Sequence, residues 1–133
     1  MKPIFLDTVG LLALWNSDDQ WHVQANKSFT NLLDRRSTFL TTTYVLLECG
    51  NAASRRTFRQ DVVDLQRLLE AREELVRPSE EDWRQGWQSY QQTEAAGAGI
   101  VDCISFAVMH RLGISEAFSN DRHFSAAGFR TLF

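Results

Sequence analysis

Cysteine is scarce in this sequence, with only Cys49 and Cys103 among 133 residues. One pair cannot build the disulfide framework of a small secreted domain, and both fall in helical patterns, so reduced packing thiols are expected. His22, His110 and His123 show no ligand spacing, which argues against a histidine- or cysteine-built zinc site and reads them as surface or core residues. Long hydrophobic runs are also missing: nothing approaches the roughly 20 apolar residues that span a bilayer. Met1-Lys2-Pro3 leads into only a handful of apolar residues before Asp7 interrupts them, so no signal peptide and a cytoplasmic location are expected. Positive charge is in deficit, with 14 Lys and Arg against 17 Asp and Glu. That balance argues against a wholly basic nucleic-acid coat and leaves room for a focal site. No repeat, low-complexity tract or linker is visible, and the length suits one domain over 1–133 with a three-layer core.

What is present is organised around Pro3-Ile4-Phe5-Leu6-Asp7-Thr8. A continuous apolar run suits a strand covered on both faces of a parallel sheet, and here it ends on a carboxylate. Leu11, Leu12, Leu14 and Trp15 then open a helical pattern that Thr8 can cap, which puts Asp7 at the carboxyl end of the strand, where open α/β sheets bind ligands. After the polar break Asn16-Ser17-Asp18-Asp19, a longer helix has Trp21, Val23, Ala25, Phe29, Leu32 and Leu33 as its buried positions. Thr38–Thr41 reads as a second strand. Tyr44–Arg56 reads as a helix with the acid Glu48 in its apolar first turns. A helix over Gln60–Glu74 and a short strand over Leu75–Pro78 follow.

Ser79 caps the next helix, whose acids Glu80, Glu81 and Asp82 complement the helix dipole. On that helix Trp83, Trp87 and Tyr90 lie three or four residues apart, a spacing that favours a core or dimer-interface stripe over base stacking. Gly97-Ala98-Gly99 breaks the pattern, and Asp102 sits in the first turn of the helix that ends at Leu112-Gly113. Glu116–Ser119 is a fourth strand, followed by Asn120-Asp121, and Phe129–Leu132 can add a fifth. The alternation predicts an α/β fold, a parallel sheet of four or five short strands wrapped by helices in three layers.

Asp7 and Asp121 each follow a strand, while Glu48 and Asp102 each lie in the first turns of a helix. Right-handed crossovers bring strand ends and the helix starts after them to one edge of the sheet, so all four carboxylates can meet there. Such a cluster repels itself unless a hard cation compensates, and Mg²⁺ or Mn²⁺ is the simplest choice. A bound divalent ion lowers the pKa of a water and stabilises charge on a phosphoryl oxygen, as phosphodiester hydrolysis requires. Blander readings stand beside this one. Asp7 and Asp102 also suit ordinary helix caps, and Asn120-Asp121 is also turn chemistry. Glu48, flanked by Leu46, Leu47 and Cys49, does not read as part of a solvated face. Asp18, Asp19, Glu80, Glu81 and Asp82 read as caps and solvated helix ends. A dehalogenase-type phosphatase needs a second aspartate two residues after the first, where this chain has Val9.

With these motifs the chain resembles the PIN-domain family, most closely the VapC-type ribonuclease toxins of toxin–antitoxin pairs. The resemblance rests on Phe5-Leu6-Asp7-Thr8, on Glu48 in the helix beginning Tyr44-Val45-Leu46-Leu47, on Asp102-Cys103-Ile104, and on Ser119-Asn120-Asp121-Arg122-His123-Phe124. It implies a metal-dependent endoribonuclease using Mg²⁺, with Mn²⁺ able to substitute, whose partners are RNA, a second copy of the chain and a cognate antitoxin. Asp7, Glu48, Asp102 and Asp121 fall on the family's acidic positions, and Thr8 and Ser119 on hydroxyls beside the first and last acids. Cys103 stands where alanine is usual, and Val101 replaces a hydroxyl residue. A non-toxin RNA-processing nuclease and a catalytically silent binding module are the alternatives. If the helix after Glu48 continues unbroken, Arg55 and Arg59 fall within about 20° of the Glu48 direction at ~100° per residue, a stripe suited to RNA phosphates.

Overall fold

The computed structural model of the protein describes residues 2–93 and 96–133. Ile4–Leu6 forms strand β1, buried throughout as a doubly covered strand must be, and Asp7 follows it directly. Helices α1 (Thr8–Trp15) and α2 (His22–Asp34) lead to β2 (Phe39–Thr42). Helices α3 (Thr43–Ala52) and α4 (Arg59–Ala71) lead to β3 (Leu75–Val76). The chain then runs through α5 (Glu80–Gln92) and α6 (Ile100–Leu112) to β4 (Glu116–Phe118), and through α7 (Arg122–Ala126) to β5 (Arg130–Thr131). No helix among the described residues is long and apolar enough to cross a membrane.

The five strands pair in parallel in the order β3-β2-β1-β4-β5, with Phe5 opposite Leu40 on one side and Ala117 on the other. β1 is therefore the centre of the sheet. The chain builds outward from it through β2 and β3, then returns across it to place β4 and β5 on the other side. Right-handed crossovers consequently put α1–α4 on one face and α5–α7 on the other. Phe118 packs on Phe29 of α2, and Phe5 packs on Phe124 of α7, the two buried aromatic layers. This is the three-layer α/β/α arrangement the sequence predicts.

Several local expectations are corrected. Asp7, rather than Thr8, caps α1, its carboxylate accepting from the Val9 amide. Trp21, Val23 and Leu33 are exposed, while Ala25 and Leu32 hold the buried stripe of α2. Asp82 is buried, not solvated: it completes a capping box with Ser79 and forms a bidentate pair with Arg111, which holds its carboxyl below the usual range despite burial. Helix α7 has no counterpart in the sequence reading. It is five residues long and is anchored by Phe124, which packs on Phe5 and Phe106.

Candidate active site

All four acids lie at the carboxyl edge of the sheet. Asp7 follows β1 and is almost wholly enclosed, at 1% exposure. Ser119, buried after β4, donates to Asp7 Oδ2 at 2.8 Å and accepts from the Asp121 amide at 3.0 Å. One hydroxyl therefore fixes both the first acid and the turn that carries the last. Thr8 donates to Glu48 Oε1 at 2.6 Å, tying the start of α1 to α3. Each hydroxyl that the resemblance singles out is thus spent on a carboxylate, and Thr8 orients the neighbouring Glu48 rather than Asp7.

Glu48 is exposed, and Leu47 beside it is 66% exposed, so the expectation of an apolar setting for this acid is overturned. Helix α3 turns Val45, Leu46 and Cys49 into the core and leaves Glu48 at the rim of the site. Asp102, in the first turn of α6, and Asp121, the cap of α7, are half-buried. Their carboxylate oxygens and a ring nitrogen of His123 lie within 4.8 Å of one another. By sequence spacing alone His123 reads as a surface or core residue. Its link to Asp102 runs through space, between residues too distant in sequence for a spacing rule to register.

The electrostatics follow from this crowding. Burial, reinforced by the charges of Asp102 and Asp121, pushes the Asp7 carboxyl up to about 8, against the opposing Ser119 hydrogen bond. Burial with Asp121 and Glu48 raises Asp102 to about 6. Cys49, enclosed beside Asp7 and Glu48, rises to about 12, which makes it an inert packing thiol. A pocket that protonates its own carboxylates gains from a cation that replaces those protons. The Asp102 and Asp121 carboxylates, with Asp7 behind them, form an oxygen donor set that fits a hard divalent ion.

The arginine stripe does not form. Helix α3 ends at Ala52, so Arg55 lies in the turn that follows and Arg59 opens a separate helix. Arg59 Nη1 donates to the Ser54 carbonyl at 2.9 Å, and Arg56 lies over the Phe58 ring. The break lets Phe58 turn inward against Trp15, burial that a continuous helix would forfeit. The stripe on α5 does form, with Trp83, Trp87 and Tyr90 packed edge to face and Tyr44 of α3 against Trp83. These aromatics on α5 are 42–49% exposed and hence are not core.

One residue essential to the geometry escaped the sequence reading. A Cβ on Gly10 would stand 2.1 Å from the Phe118 carbonyl oxygen. The bare backbone of α1 therefore lies directly on the end of β4, which is what lets Asp7 reach Ser119.

A three-layer sheet with carboxylates gathered at its carboxyl edge is the architecture of a PIN domain, and the chain belongs to that family, matching it over residues 4–130. Among its relatives is the 23S rRNA-specific endonuclease VapC20 of two Mycobacterium tuberculosis strains, 31% identical over 129 residues and 95% of each chain. The crystal structure of M. tuberculosis VapC20, described as a toxin that cleaves the sarcin–ricin loop, matches with a TM-score of 0.79 at 29% identity, again over 95% of each chain.

Proposed function

We infer that this protein is a metal-dependent endoribonuclease that hydrolyses RNA phosphodiester bonds, and that it is the toxin of a toxin–antitoxin pair. The observation that carries this reading is the meeting of Asp7, Glu48, Asp102 and Asp121 at one sheet edge, in a chain that matches VapC20 nearly end to end. Asp102 and Asp121 would hold the cation directly, with Asp7 and Glu48 completing the anionic wall. When bound, the ion supplies an acidified water and stabilises charge on a phosphoryl oxygen. The residues themselves orient and exclude: Ser119 aligns Asp7, Thr8 aligns Glu48, and the apolar floor of β1 keeps bulk water from the inner carboxylates. Mg²⁺ is the proposed cofactor, with Mn²⁺ a substitute. The proposed partners are RNA, a second copy and a cognate antitoxin, and the proposed location is the cytoplasm.

The substrate of the relative makes 23S rRNA the first RNA to test. Wild-type protein should cut it with Mg²⁺ or Mn²⁺, and both chelator and Asp7→Asn should abolish cutting. Induced expression should arrest growth, and Asp7→Asn should relieve the arrest. Cutting that survives chelator and substitution alike would refute the mechanism. RNA binding without any cutting would favour a silent binding module, and cutting without growth arrest a processing nuclease.

A further inference from the structure

We propose that His123 is a positioning residue of the acidic site, which fastens the carboxylate of Asp121 to the backbone that leads into α6 and so sets the separation of Asp121 from Asp102. The proposal rests on the cation-site reading above and adds a residue to it.

The histidine ring has two committed nitrogens. Nδ1 lies 2.9 Å from Asp121 Oδ1, and Nε2 lies 3.0 Å from the carbonyl oxygen of Ala96. Ala96 belongs to the connection between α5 and α6, just before Gly99, whose carbonyl accepts the Cys103 amide and starts the helix bearing Asp102. The ring therefore spans two segments far apart along the chain, each carrying one acid. Its own backbone is held in place, because α7 is capped by Asp121 and its next residue, Phe124, is fully buried.

The consequence for Asp121 is directional. Its Oδ1 receives both the amide of His123, at 2.9 Å, and the ring. Among the described residues no donor occupies Oδ2, which leaves that oxygen for a cation. Direct ligation by His123 is the competing role, since its ring nitrogen stands within 4.8 Å of the Asp102 and Asp121 oxygens. A ring nitrogen that bound the cation would have to leave the acceptor it now faces, Asp121 Oδ1 or the Ala96 carbonyl. Fixing a ligand from behind is a familiar task of groups around metal sites, and loss of such a group costs about 10–100-fold in metal affinity.

The test compares the wild type with His123→Ala and with His123→Asn, whose amide can stand in for Nδ1 toward Asp121 but has no atom in the place of Nε2. Two quantities are measured: the Mn²⁺ concentration giving half-maximal thermal stabilisation, and metal-free hydrogen exchange of the amides in 97–103. The proposal expects His123→Ala to raise the Mn²⁺ midpoint about tenfold and to speed exchange in 97–103. His123→Asn keeps the Asp121 contact but loses the one to Ala96, so it should lose most of what His123→Ala loses in both quantities. A midpoint equal to wild type in His123→Ala or in His123→Asn, or metal-free exchange in 97–103 unchanged in both variants, overturns the positioning role while leaving the cation site intact. A wild type that ignores Mn²⁺ refutes the cation-site reading instead. In that case exchange decides the fastening alone: faster in His123→Ala supports it, unchanged overturns it.

Discussion

The balance of the site is concentrated in Asp7. Folding takes this carboxyl from its ordinary 3.8 to about 8, and Asp102 from 3.8 to about 6. A group whose folded pKa exceeds its unfolded value adds stability fully below the unfolded value and loses it as pH rises through the folded one. At about 1.4 kcal/mol for each pH unit between the two values, Asp7 alone contributes several kcal/mol of pH dependence. His123, raised by its bond to the Ala96 carbonyl and by Asp121, adds to the same slope above its ordinary 6.5. Metal-free protein should thus lose melting temperature from about pH 4 to pH 8, and stabilisation by Mn²⁺ should grow over that window. Asp7→Asn should flatten the slope, melt higher than wild type at pH 8 in chelator, and gain nothing from Mn²⁺. A wild type whose metal-free melting temperature rises between pH 5 and 8 would contradict this account.

At the scale of elements, the decisive contact is α1 against the end of β4. Gly10 permits it, because any Cβ there would strike the Phe118 backbone rather than a yielding side chain. Gly10→Ala is expected to cost upwards of about 1–3 kcal/mol, as overpacking does, read as a lower urea midpoint. It should also weaken Mn²⁺ stabilisation by drawing Asp7 from Ser119; an unchanged midpoint would show that the helix can shift freely. Some elements were readable from their residues: β1 from its unbroken apolar run, α5 from its Ser79 cap and acidic first turn, α6 from its glycine-bounded apolar pattern. Elsewhere tertiary packing overrules local pattern. Helix α3 stops early so that Phe58 can reach the core, and that removed the arginine stripe. Helix α7 is too short to show a period and is held by one buried phenylalanine. Trp21, Val23 and Leu33 sit on exposed faces although their side chains are apolar.

At the scale of the whole molecule, Trp83, Trp87 and Tyr90 form a contiguous exposed aromatic ladder, and patches of this kind mark protein interfaces. If it joins two copies, Trp87→Glu should shift sedimentation from dimer to monomer without lowering the melting temperature of the monomer. A wild type that sediments as a monomer at micromolar concentration would remove this role. The other global feature is the reversal of strand order at β1. The chain builds to one side and then returns, so β1 and β4 become neighbours, and the crevice at their carboxyl ends receives Asp7 from one and Ser119 and Asp121 from the other.

The residues alone determined the alternation of strand and helix, the acids at strand ends and helix starts, and through them the family, because each depends on a short-range period or a local cap. Only the tertiary structure decided that Asp7 is buried while Glu48 stands at the rim, that Ser119 and Thr8 serve separate carboxylates, and that His123 belongs with the acids. Burial and hydrogen-bond partners are set by segments distant along the chain, and no local pattern records which of them will meet.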